Sequence, residues 1–243
     1  MSMAAGGSEP RRKTVHGVTI GILMLDTGFQ RLPGDIGFAP TWPFPVHYRI
    51  VTGATGERIL SAGGGNTLEL FLKATEELVT LGVDGIATSC GFLALFHQEL
   101  VARCPVPVAS SALLQVPFVH SMLPRGRRVG VLTADKAALT AAHFTAVGCP
   151  TDLPVVGMPL DGVFKDAFRN ARTRVDPAAQ EKEACAMARE LVAMAPDLGA
   201  IVCECTNLAP HSAAIADAVG LPVFDVVTMV TWLHAGLRPR RYA

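Results

Sequence analysis

The sequence predicts an α/β protein: two pseudo-symmetric parallel-sheet α/β domains facing each other across a cleft. The first observation behind this is a duplication. The stretch Asp84-Gly85-Ile86-Ala87-Thr88-Ser89-Cys90-Gly91-Phe92-Leu93 lays onto a second copy with Cys90 on Cys205, an offset of 205 − 90 = 115. Ile86 then falls on Ile201, Leu93 on Leu208, Pro107 on Pro222 and Val108 on Val223. The second observation is a further match. Ile20 to Asp26 resembles Val129 to Asp135, with Gly21 on Gly130 and Asp26 on Asp135, an offset of 135 − 26 = 109. The third is composition. Half of the 243 residues are hydrophobic but only 6% are aromatic, so the apolar content is mostly Ala, Val, Leu and Ile. That suits strands buried on both faces with helices packed over them.

The elements follow in order. Val18 to Leu25 is a β-rich run and reads as the first strand. Asp26 to Pro45 carries glycines and prolines throughout, and a loop of this length is expected to be functional, for example as a lid. Val46 to Val51 is the second strand. Gly63-Gly64-Gly65 lacks both phosphate-loop spacings and reads as a plain loop. Asn66 or Thr67 caps a helix whose apolar positions Leu68, Phe71, Leu72 and Leu78 recur at helical spacing, and Gly82 ends it. Gly85 to Ser89 is a strand, Leu93 to Arg103 a helix and Val106 to Ala109 a strand. Ser110 or Ser111 caps a helix to Met122. Pro124-Arg125-Gly126 is a turn and a candidate hinge.

The second unit begins with a strand at Arg128 to Thr133 and a helix at Asp135 to Val147. Val155 to Met158 is strand-like, and Asp161 to Asn170 helical. Asp176 followed by Pro177 gives a capping carboxylate and then proline at the first helical position, starting a helix to Met194. Ala200 to Cys203 is a strand, Pro210 to Val219 a helix, Val223 to Asp225 a strand and Val226 to Leu237 the last helix. The implied organisation is a disordered tail at 1–14, a first domain at 15–120 plus 222–243, and a second at 121–221. Alternating strands and helices imply parallel sheets with right-handed crossovers.

With 21 basic and 21 acidic residues the net charge is zero, and nothing favours nucleic acid. No apolar run reaches the roughly 18 residues that span a bilayer. Met1 to Lys13 lack an apolar segment behind their charges and do not read as a secretory signal. The expectation is a cytoplasmic protein with free thiols. Cys104, Cys149 and Cys185 read as small buried hydrophobes, and Cys203 as pointing into the core. Cys203-Glu204-Cys205 with His211 is too sparse a pattern for zinc, so no metal is expected.

Cys90 and Cys205 stand apart. Each falls at the carboxyl end of a strand, where open parallel sheets bind ligands, and at the turn into a helix. Free N–H groups and the helix dipole there favour thiolate and can hold a carboxylate or oxyanion. One such turn on each side of a cleft suits two-base proton transfer at a carbon, with the enolate held by backbone amides. No cofactor is required by that scheme.

The signatures Thr88-Ser89-Cys90-Gly91 and Glu204-Cys205-Thr206-Asn207-Leu208 resemble the aspartate/glutamate racemase superfamily. That group includes hydantoin racemases, maleate isomerases and arylmalonate decarboxylases. The resemblance implies a pseudo-symmetric pair of α/β domains, paired catalytic cysteines, no cofactor and, in many members, a homodimer. Cys90-Gly91-Phe92 stands where glutamate and aspartate racemases have Cys-Asn-Thr, and Asn207 stands where glutamate racemases have His. Asp26-Thr27 resembles the Asp-Ser pair after the family's first strand.

The expectation is therefore a cofactor-independent racemase or epimerase acting on a small carboxylate or amide. Cys90 and Cys205 would be the acid and base. Asp26, Thr27, Ser89, Gly91, Phe92, Thr133, Thr206, Asn207 and His211 are the candidate substrate contacts. A decarboxylase or cis-trans isomerase of the same superfamily is the alternative, and a non-catalytic small-molecule binding protein a further one. Glu204 is expected to cap, pair locally or tune Cys205. Trp42 and Phe44 are expected either to close over the substrate or simply to pack. His97, His120 and His143 read as surface or structural.

Overall fold

A computed structural model describes residues 17–171 and 174–241; the expected tail at 1–14 lies outside them. The described residues form two four-stranded parallel sheets. The strands are β1 (Ile20–Leu25), β2 (Val46–Val51), β3 (Gly85–Thr88) and β4 (Val108–Ala109) in the first sheet. In the second they are β5 (Arg128–Thr133), β6 (Val155–Gly157), β7 (Leu198–Cys203) and β8 (Val223–Phe224). The first sheet runs β2-β1-β3-β4 and the second β6-β5-β7-β8, so each half repeats the other's order. The central strands β1 and β3 are buried along their whole length, as the aliphatic runs foretell.

The helices are α1 (Gly56–Leu60), α2 (Leu68–Leu81), α3 (His97–Arg103), α4 (Val116–Met122), α5 (Ala141–Ala146), α6 (Val163–Arg169), α7 (Pro177–Met194), α8 (Ser212–Val219) and α9 (Val226–Leu237). Their starts have local chemical reasons. Asp176 accepts from the N–H groups of Ala178 and Ala179, both at 3.0 Å, at the head of α7. Asp225 and Thr228 cap α9 reciprocally, Asp225 accepting from Thr228 N–H at 2.8 Å and Thr228 Oγ1 from Asp225 N–H at 2.9 Å. Helix α9 packs back on β3, where Gly85 lies against Leu233 and Leu237.

Several elements differ from expectation. The long helix expected from Asp135 shrinks to α5: the Asp135 carboxylate caps a single turn, accepting from the N–H groups of Ala137 and Ala138, and the helix starts anew at a capping box made by Thr140 and His143. The helices expected at Leu93 and Pro210 begin as 3₁₀ turns, Gly91–Phe96 and Thr206–His211, before α3 and α8. Helix α1 was not expected. Gly63, Gly64 and Gly65 all have positive φ, and a Cβ on Gly64 would strike the Phe96 ring. The domain boundary at 222 also needs correction, since β8 pairs with β7 in the second sheet and only α9 crosses back to the first.

The 26–45 loop divides in two. Its distal part is packing: Trp42 donates to the Ile36 carbonyl at 3.1 Å, and Phe44 stacks on His234 at 3.8 Å. Its proximal part borders the site.

Candidate active site

Strands β3 and β7 end at equivalent places in the two halves, and both deliver a cysteine to one cavity of about 760 Å³. That volume suits a small organic ligand. Cys90 is partly accessible and Cys205 is buried. All six cysteines are free thiols. Asp26, Thr27, Ser89, Gly91, Phe92, Thr206 and Asn207 line the same cavity. Thr133 and His211 do not. Thr133 stands behind the wall and acts through Glu204, while His211 is buried edge-on against Phe164, at 5.7 Å between ring centroids.

Each cysteine is held by the turn that follows it. The N–H groups of Phe92 and Leu93 point at the Cys90 sulfur, and the N–H of Asn207 points at that of Cys205. The Asn207 side-chain amide also reaches Cys205 Sγ, at 3.6 Å. Thr206 ties the two halves together, its hydroxyl donating to the Ser89 carbonyl at 2.8 Å. Asp26 accepts from Gly53 N–H at 2.9 Å.

The expected lowering of the thiol pKa is reversed. Burial, with the Glu204 carboxylate second, pushes Cys205 up to about 12 and Cys90 well above the ordinary thiol value. The N–H groups act in the opposite direction but are outweighed.

Glu204, expected to cap, pair locally or tune Cys205, sits between the two cysteine turns. It is fully buried, yet it lines the cavity. Thr133 Oγ1 donates to its Oε2 at 2.6 Å, the Ala134 N–H supports it, and Oε1 has no hydrogen-bond partner. Burial raises its pKa to about 7. Glu204 explains the departure at Gly91: a Cβ there would overlap both the Glu204 carbonyl and Oε1. The site therefore exchanges a side chain after the first cysteine for a carboxylate before the second.

The equivalent position in the first half is Ser89. Its Oγ accepts from Leu25 N–H at 2.8 Å, and Leu25 corresponds to Ala134 by the 134 − 25 = 109 offset. The two halves thus offer the same backbone N–H to different side chains.

Arg31 escaped the sequence reading. It lines the cavity from the proximal part of the long loop, with Nη1 on Asp35 at 3.3 Å and Asn207 Oδ1 at 3.2 Å. Nη2 donates to Thr27 Oγ1 at 2.8 Å, and the guanidinium lies 4.2 Å from the Phe29 ring centroid. The loop's length was the one signal pointing to it. Leu160, Lys165 and Phe168 add a wall from the second half that no motif marked. Among the described residues no group of three or more His, Cys, Asp or Glu is arranged to hold a metal ion. Nor is any helix among them long and apolar enough to cross a membrane.

No family model matches the chain. It is 29% identical over 236 residues to a dimethylsulfoniopropionate lyase of Durusdinium sp. clade D, covering 95% of this chain and 77% of that one. It is 27% identical over 230 residues to dimethylsulfoniopropionate lyase 5 of Emiliania huxleyi, covering 89% of this chain and 45% of that one. These relatives overturn the expectation of a racemase or epimerase, since a lyase breaks a bond and does not invert a centre. Among solved structures, unliganded arylmalonate decarboxylase superposes with a TM-score of 0.62 at 16% identity, over 93% of this chain and 94% of that one. Allantoin racemase from Klebsiella pneumoniae gives 0.61 at 18%, over 91% of this chain and 87% of that one. The chain therefore has the fold of these enzymes, two parallel α/β halves around one cavity.

Proposed function

We propose that the protein is a lyase that cleaves dimethylsulfoniopropionate, or a closely similar β-substituted propionate, by elimination. The observation that carries this reading is the near full-length similarity to a dimethylsulfoniopropionate lyase. The two-cysteine cavity supports it. The substrate has an acidic C–H beside a carboxylate and a neutral leaving group, dimethyl sulfide, on the next carbon. Elimination needs one base at the α-carbon and a site that holds charge on the carboxylate as it becomes enolate-like.

In this reading Cys90 and Cys205 are the acid–base pair, and one of them, as thiolate, takes the α-proton. The C–H electron pair becomes the C=C bond. The C–S bond breaks with its pair going to sulfur, leaving acrylate and dimethyl sulfide. The N–H groups of the turns after each cysteine hold the carboxylate, with Arg31 beside them. Leu25, Phe92, Leu160 and Phe168 give the sulfonium methyl groups an apolar wall. A bound sulfonium also favours ionisation of nearby acids, lowering the thiol pKa when substrate is present.

The test is direct. Purified protein is incubated with dimethylsulfoniopropionate, and dimethyl sulfide is measured in the headspace and acrylate in solution. Equimolar release is expected, with a loss of about 100-fold or more in Cys90→Ser and in Cys205→Ser. Folded wild-type protein that releases no dimethyl sulfide above the buffer rate refutes the reading.

A further inference from the structure

We propose that Glu204 is the proton acceptor for the cysteine pair, receiving the thiol proton that leaves when the attacking thiolate forms. Within the lyase reading, on which the kinetic part of the test rests, this gives the elimination a third acid–base group.

The geometry is specific. Glu204 precedes Cys205 in the chain, and its carboxylate lies against Gly91, the residue after Cys90. One carboxylate is thus wedged between the two cysteine turns. Oε2 is fixed by Thr133 and the other oxygen, Oε1, is left without a partner on the side where Gly91 has no side chain. A buried carboxylate oxygen with no donor is costly, and it is open to take a proton. Besides Glu204, the charged and titratable side chains lining the cavity are Cys90, Cys205, Asp26, Glu57, Arg31, Lys165 and Arg169; Cys203 and Asp35 also act electrostatically with Cys205. The three cations are engaged elsewhere, Arg31 with Asp35, Lys165 with Asp135 at 2.9 Å and Arg169 with the Leu160 carbonyl at 3.0 Å. The carboxylate therefore repels negative charge on both sulfurs while it is ionised, and ceases to once it is protonated.

The proton count closes. The S–H bond breaks with its pair left on sulfur, and its proton passes through a water in the shared cavity to form an O–H bond at Oε1. The thiolate then takes the α-proton of the substrate and becomes a thiol again as the elimination proceeds. The one proton released overall leaves from Glu204 to solvent after acrylate departs. A carboxyl group near neutrality, at about 7, can perform both transfers.

The experiment uses full-length Glu204→Gln, Thr133→Val and wild type. Two readouts are taken: the pH dependence of dimethyl sulfide release, and iodoacetamide labelling of Cys90 and Cys205 followed by peptide mass spectrometry without substrate. Wild-type kcat/KM should rise with pH through about 7. Glu204→Gln should lose that limb and about 100-fold in kcat with little change in KM. It should also label at least about tenfold faster at pH 8, because the repelling charge is gone. Loss of structure would speed labelling of the buried Cys149 and Cys203 as well, and in Glu204→Gln these two should keep the wild-type rate. Thr133→Val should move the limb up by about one pH unit, since a hydrogen bond to the charged form is lost. A Gln variant with wild-type kcat and limb overturns the proposal, as does labelling unchanged in Glu204→Gln. If wild type does not cleave the sulfonium but labelling still accelerates, the substrate assignment fails and the proton coupling stands.

Discussion

Replacing Glu204 by Gln should change how stability responds to pH, whatever the substrate proves to be. In the unfolded chain this carboxyl titrates near the ordinary 4.5, and in the fold burial raises it to about 7. Between those values the native state holds a proton that the unfolded state has released, so raising the pH through the window costs stability. The contribution is fully present below about 4.5 and is lost as the pH passes about 7. The gap is 7 − 4.5 = 2.5 pH units, worth about 3.4 kcal/mol at about 1.36 kcal/mol each. Unfolding entropy near 2.1 cal/mol/K per residue gives roughly 0.5 kcal/mol/K for a chain of this length, so the same effect is about 7 °C in Tm. The assay is urea and thermal unfolding of both proteins in steps from about pH 4.5 to about pH 8. The stability of Glu204→Gln relative to wild type should increase by about 3 kcal/mol across that range. Parallel curves for the two proteins would refute a buried, proton-binding Glu204.

Two further outcomes follow from packing and capping. Gly91→Ala places a Cβ on the Glu204 carbonyl and carboxylate; it should cost about 1–3 kcal/mol in urea unfolding and abolish turnover by displacing both cysteine turns. Asp225→Ala removes the acceptor for Thr228 N–H at 2.8 Å and for the Ser212 hydroxyl at 2.6 Å. It should lower stability by about 1–2 kcal/mol in the same assay, with the cavity residues untouched.

Much of the scaffold could be read from spacing. Parallel strands buried on both faces leave continuous aliphatic runs, so the recurrence of Gly21 at Gly130 and of Cys90 at Cys205 exposed the repeat directly. The strand-to-turn position marked each cysteine, and the residues flanking both line one cavity. What sequence could not convey was competition between local and long-range terms. Asp135 looked like a helix start, but its side chain closes a turn and pairs with Lys165, thirty residues away. The cysteines sat at turns that favour thiolate, but burial and the Glu204 carboxylate outweighed those N–H groups. Arg31 belongs to a loop without periodicity, where nothing in the pattern fixes which side chain turns inward. Glu204 and Gly91 did leave a trace. A lost side chain in one copy and an added acid in the other are complementary changes, visible only once the two copies are known to touch.

The backbone amide that Ser89 occupies in one half and Glu204 in the other carries a consequence for direction. Twin seats filled alike would make the left and right sulfurs interchangeable, which suits chemistry that must run equally well either way. Here only one seat holds a group able to store a proton, so the duplicated frame has acquired a handle on a single side. So handed a frame suits the proposed elimination, in which something departs and a hydrogen ion must be carried out.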